Sequence, residues 1–130
     1  MTNLEIIQNL YESFAKGDVT AVLAGMHEDI IWNEAENFPY ADRNPYVGHQ
    51  AILEGVFTRC LEDWEGFAAK MDKLYDAGNT VFATGRYEGI NNLTGKPMNP
   101  QAVHIWTVED GKIIKFQQHI DTFNVINAMT

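Results

Sequence analysis

The sequence predicts an α+β fold in which a curved antiparallel sheet wraps around N-terminal helices. Three observations carry the α+β class. Helical spacing of apolar residues dominates the first half of the chain, and strand-like alternation dominates the second. The two strand-rich runs near the end flank Asp110-Gly111, a strong hairpin signal because a type I′ turn needs φ > 0 at both central residues. At 130 residues the chain suits one domain with a single core.

The elements follow in order. Thr2 or Asn3 can cap a first helix with Glu5 in its first turn, and Leu4, Ile7, Leu10, Tyr11 and Phe14 recur on one face. Gly17-Asp18 ends it, and Asp18 can cap a short second helix over Val19–Met26. His27-Glu28-Asp29 reads as a polar break. Ile30–Ala35 reads as a strand with Ile30, Trp32 and Glu34 on one face. A loop over Glu36–Gly48 carries Tyr40 and Tyr46, and such loops commonly form lids or rims. His49–Trp64 is expected to be a third helix, with Ile52, Leu53, Val56, Phe57, Cys60 and Leu61 inward.

Strands are expected at Phe67–Tyr75 and at Val81–Gly89, the latter with Phe82, Thr84, Arg86 and Glu88 on one face. A turn-rich loop over Asn91–Pro100 leads to the hairpin Gln101–Phe123. A two-residue turn pairs Glu109 with Lys112, so Ile105 should face Phe116 and Val103 should face Gln118, pointing inward. His104, Trp106, Lys115, Gln117, His119 and Asp121 should then face outward. A bulge in the last strand would reverse that parity and turn the His104, His119 and Asp121 group toward the pocket. Thr122–Met129 is expected to close the chain as a short helix. A curved sheet wrapped round three helices should enclose a cone-shaped cavity.

Composition narrows the partners. A formal net charge of −9 repels phosphate backbones and anionic lipid heads, so neither nucleic acid nor a membrane surface is an expected partner. No apolar run is long enough to span a bilayer, and the N-terminus lacks a basic start, so no secretory signal is expected. The single cysteine, Cys60, and the absence of zinc-like Cys/His spacing suit a reducing cytoplasm with no metal and no cofactor. The large Trp106 on the outer face motivates the expectation of a homodimer through that face.

The element order and several stretches resemble the nuclear transport factor 2-like superfamily, and within it the SnoaL-like, ketosteroid-isomerase-related branch. The stretches are Ser13–Asp18, Ile30–Glu36, Tyr46–Gly48, Gly85–Gly89, Thr94–Pro97 and His104–Thr122. The resemblance spans essentially the whole chain and implies a cystatin-like cone. It is specific for fold and weak for reaction, since one scaffold hosts many chemistries. Carried over by position, the general base of ketosteroid isomerases falls on Glu34. Their oxyanion-hole tyrosine falls on Leu10, beside Tyr11, and their protonated aspartate falls near Val103. Limonene-type epoxide hydrolases would place their arginine and acid on Arg86 and Glu88, and their basic aspartate on Gln118.

Two functions are therefore expected. One is a small cofactor-free enzyme of isomerase, cyclase or dehydratase type, moving a proton on an apolar carbonyl compound. Glu34 would be its base, Arg86 its oxyanion partner, and Glu88 and Gln118 its orienting groups. Tyr11, Phe14, Trp32, Tyr40, Phe82, Val103, Ile105 and Phe116 would wall its pocket. The other is a binding module that holds a small apolar molecule in the same cavity without turning it over.

Overall fold

The computed structural model describes all 130 residues, Met1–Thr130. Helix α1 (Asn3–Ala15) starts on Thr2, whose hydroxyl accepts from the Glu5 backbone while the Glu5 carboxylate accepts from the Thr2 backbone. That reciprocal cap satisfies two of the helix's orphan donors. Asp18 caps α2 (Val19–Ala24) by accepting from the Ala21 N–H. The chain then enters β1 (Met26–Asn33), so His27-Glu28-Asp29 is strand rather than a break. These three residues are exposed at the end of β1, where polar side chains meet water without interrupting the backbone.

After β1 come a short 3-10 turn over Pro39–Arg43, β2 (Tyr46–Val47) and the third helical stretch. This stretch is α3 (His49–Ile52), a π-helical turn over Leu53–Phe57, and α4 (Thr58–Asp63). Its buried stripe runs through Ile52, Val56, Phe57 and Cys60, whereas Leu61, expected inward, is 67% exposed. The π turn alters the helical period just before it.

The sheet is one surface of seven strands. Its remaining members are β3 (Trp64–Ala77), β4 (Thr80–Asn91), β5 (Pro97–Met98), β6 (Gln101–Glu109) and β7 (Lys112–Ile120). Their order is β2-β1-β7-β6-β4-β3, with β5 on the side of β4. All pairs are antiparallel except β1 with β7. Register shifts in β3, at Glu65–Ala68 and Met71–Lys73, bend that long strand. The sheet thus curls around α1 and α3–α4, and α5 (Thr122–Met129) packs against β5 and β4. No helix is long and apolar enough to cross a membrane.

The hairpin settles which side chains face in. Asp110 and Gly111 both have positive φ, and Glu109 pairs with Lys112, as the turn chemistry requires. Ile114 is then an extra residue: Val108 pairs with Ile113, but Thr107 pairs with Lys115. From there on, Trp106 faces Phe116, Ile105 faces Gln117, His104 faces Gln118 and Val103 faces His119. The expected pairing of Ile105 with Phe116 is therefore wrong by one residue. A single-residue bulge reverses the parity of one strand against the other. His104 and Trp106 point into the core, while Val103 and Ile105 lie on the outer face. Trp106 is buried, so it gives no support to a dimer through that face.

Strand β4 is also turned over. Val81, Ala83 and Tyr87 are buried, and Arg86 is exposed with Phe82 and Glu88 on its face. Arg86 donates to the Asn99 carbonyl at 2.8 Å, and Glu88 pairs with Lys70 at 3.2 Å.

Candidate functional site

The inside of the cone holds one cavity walled by seventeen residues, fourteen of them hydrophobic, so its dielectric is low. About 50 Å³ of it admits the centre of a water molecule. One water needs about 10–15 Å³ by that measure. The cavity thus suits a few waters or one small ring, and anything larger must displace wall side chains. Four wall residues are only half-buried: Tyr11, Phe14, Phe67 and Ala69. They mark the side, between α1 and β3, where the cavity reaches the surface.

Glu34 sits just beyond the end of β1 with its backbone locked on both sides. Asn44 accepts from the Glu34 N–H at 3.0 Å and donates to its carbonyl at 2.8 Å. The next residue, Ala35, donates its N–H to Gln118 Oε1 at 3.0 Å. The carboxyl itself is left without such help. Glu34 is 3% exposed, its Oε2 has no hydrogen-bond partner, and the buried indole N–H of Trp32 has none either. Burial pushes the Glu34 carboxyl from an ordinary 4.5 up to about 8, and the nearby Trp32 indole and Arg59 guanidinium offset only part of that. An orphan donor and an orphan acid, both facing one cavity, are the polar contacts a ligand would complete.

A file of hydrogen bonds runs along the same cavity. Trp106 Nε1 donates to Tyr11 Oη at 2.8 Å, and Tyr11 Oη meets His104 Nδ1 at 2.6 Å. His104 Nε2 meets Tyr87 Oη at 2.5 Å, and Gln118 Nε2 donates to the same oxygen at 3.0 Å. His104 is fully buried with no acidic partner, which depresses it from 6.5 to about 3 and keeps the ring neutral. Burial pushes both tyrosines up, and the nearby Glu34 carboxyl pushes Tyr87 further, so both remain phenols. Cys60 also lines the cavity, but burial raises its thiol, which stays protonated and unreactive.

The sequence-derived residues divide cleanly. Glu34, Tyr11, Phe14, Trp32, Phe116 and Gln118 line the cavity. Arg86 and Glu88, expected as catalytic partners, do not reach it; both sit on the solvent side of β4. Phe82, Val103 and Ile105 are on the outer face for the parity reasons given above. Tyr40 is buried but lies behind the wall. It donates to Asp63 at 2.8 Å, accepts from Trp64 Nε1 at 3.2 Å and lies under the Arg59 guanidinium. Arg59 also grips Asp42 with two hydrogen bonds and donates to Tyr46 Oη, which pins the loop shut. His119 and Asp121 are exposed, so only His104 of that group turns inward.

The sequence reading missed Tyr87, although it lies between Arg86 and Glu88. Alternation alone places Tyr87 with Val81 and Ala83, and that apolar pattern was the signal that could have found it. No three His, Cys, Asp or Glu side chains come together as a metal site.

N-terminal helices held against a large curved sheet give the cone of the nuclear transport factor 2-like class of folds. The chain belongs to the SnoaL-like family within it: the model of the SnoaL-like domain matches residues 7–116. The chain is similar to a nuclear transport factor 2-like protein of Burkholderia thailandensis E264, at 37% identity and TM-score 0.96, over 100% of this chain and 98% of that one. It is similar to TerC, co-crystallised with polyporic acid, at 26% identity and TM-score 0.86, over 98% and 97% of the two chains. A third neighbour, from Catenulispora acidiphila DSM 44928, has a ketosteroid isomerase-like fold and was solved in complex with trimethylamine. It shares 17% identity at TM-score 0.80 over 98% and 93% of the chains, which speaks to fold alone. No curated protein matches the chain.

Proposed function

We propose that this protein is a cofactor-free enzyme of the isomerase, cyclase or dehydratase type, which removes and returns a proton next to the carbonyl of a small, largely apolar, uncharged compound. The observation that carries this reading is the unpartnered Glu34 carboxyl in an apolar cavity that also contains phenol and indole donors. A base with a pKa near 8 is far better matched to a carbon acid than an ordinary carboxylate. Glu34 as carboxylate would take the C–H proton, and the oxygen of the resulting enolate would accept from Tyr11 or Tyr87 and from Trp32 Nε1. Protonated Glu34 would then return the proton to the same or a different carbon. Arg86 has no part in this scheme; the phenols take the place it was expected to fill.

A panel of simple carbonyl compounds tests this without an identified substrate. Small cyclic ketones and enones are incubated with the protein in deuterated buffer, and exchange at the α-carbon is followed by NMR. Exchange should exceed the buffer rate, rise about tenfold per pH unit from pH 6, and level off near pH 8. Ligands that bind without any exchange would instead favour the binding-module reading.

A further inference from the structure

The hydrogen-bonded file on the cavity wall contains more protons than contacts to use them. At one end, the indole of Trp106 can only donate, into Tyr11 Oη. At the other, the Gln118 amide is oriented by the Ala35 N–H bound to its Oε1, so its Nε2 must donate to Tyr87 Oη. Two contacts remain between these fixed ends, Tyr11 with His104 Nδ1 and His104 Nε2 with Tyr87. A neutral imidazole brings one N–H, and the two tyrosines bring one O–H each. Three protons serve two contacts, so one is left over.

Where it sits depends on the ring. With the proton on Nδ1, His104 donates to Tyr11 and accepts from Tyr87, and the free O–H belongs to Tyr11. With the proton on Nε2, the roles reverse and the free O–H belongs to Tyr87. Both phenols line the cavity, one from α1 and one from β4. Moving one imidazole proton therefore shifts the donor from one wall to the other without moving any heavy atom.

We propose that His104 is a positioning residue whose tautomer selects which phenol, Tyr11 or Tyr87, offers its free O–H to a ligand, and that the site therefore takes a compound presenting an oxygen acceptor. The ligand half of this rests on the carbonyl reading above; the tautomer half concerns the free protein alone.

Long-range 1H–15N spectra of histidine-labelled protein at pH 7 report the ring protonation directly. In Tyr11→Phe, Nδ1 loses its partner, and an unpaired acceptor is tolerated better than an unpaired N–H. That variant should hold its proton on Nε2. Tyr87→Phe should hold it on Nδ1. The same tautomer in both variants, the opposite assignment in either one, or a doubly protonated ring would overturn the selection. Each variant decides by itself, so loss of one to misfolding leaves the test intact.

Binding of 2-cyclohexen-1-one separates the ligand half. Each single variant keeps one free phenol and should weaken binding less than about threefold, whereas Tyr11→Phe/Tyr87→Phe should weaken it about tenfold. A wild-type protein that does not bind the enone would overturn the acceptor assignment and the carbonyl reading while leaving the tautomer result standing.

Discussion

Glu34→Gln should abolish α-proton exchange on bound ketones, by roughly a thousandfold or more, and should make the protein less sensitive to alkaline pH. The first effect follows because an amide cannot accept a proton from carbon, and no other carboxylate lines the cavity. The second follows from linkage. In the unfolded chain Glu34 ionises near 4.5, and in the folded one near 8. Between those values the folded state binds more protons, so wild-type stability is full below about pH 4.5 and falls as pH rises through 8. The variant lacks that slope, and the two proteins should diverge by on the order of 4 kcal/mol across the window. His104 works in the opposite sense. Its depressed pKa means stability is lost as pH falls from 6.5 through about 3, but both proteins share that term and it cancels in the comparison. Urea unfolding at pH 5, 7 and 9 measures the divergence. Parallel pH curves for the two proteins would mean that Glu34 ionises in the folded state as it does in water.

Gly85→Ala should be the most damaging glycine-to-alanine change in the sheet. A Cβ there would stand 2.1 Å from the Lys70 carbonyl oxygen and 2.7 Å from Met71 Cα. Both are backbone atoms of β3, next to the irregularity at Met71–Lys73, and the paired strand cannot yield as a flexible side chain would. The close approach is how β3 bends over the cavity, so relief would mean pulling the wall apart. A loss of about 3 kcal/mol is expected. Gly89→Ala is the control. Its Cβ would meet only side-chain atoms, at 3.4 Å or more, and should be tolerated far better. Equal unfolding midpoints for the two variants would contradict the tight β3–β4 crossing.

The fold was legible because its signals are local and redundant. Thr2 with Glu5, Asp18 before Val19, and Asp110-Gly111 each specify an element boundary chemically. Glu34 was legible for the same reason, since strict alternation in β1 puts it with Ile30 and Trp32. The inward faces of β4 and β6 were misread for two different reasons. In β4 the pattern was present: Val81, Ala83 and Tyr87 are apolar, while Arg86 and Glu88 are charged. Turning the charged face inward would have left two ions in an apolar cavity, a desolvation penalty of several kcal/mol per ion that only close pairing could offset. In β6 no such signal existed. Both faces of Gln101–Glu109 carry apolar residues, and the bulge at Ile114 leaves no mark in composition. That one extra residue puts Gln118 on the same face as His104 and so within reach of Tyr87.

The protonation of Glu34 can be observed directly. With the glutamate side-chain carboxyls labelled with 13C, the Glu34 signal is assigned by its absence in Glu34→Gln and followed from pH 3 to 10 in the ligand-free protein. A midpoint near 8 is expected. A midpoint near 4.5 would show a solvated carboxylate in place of a buried acid, and proton transfer from carbon would lose its base.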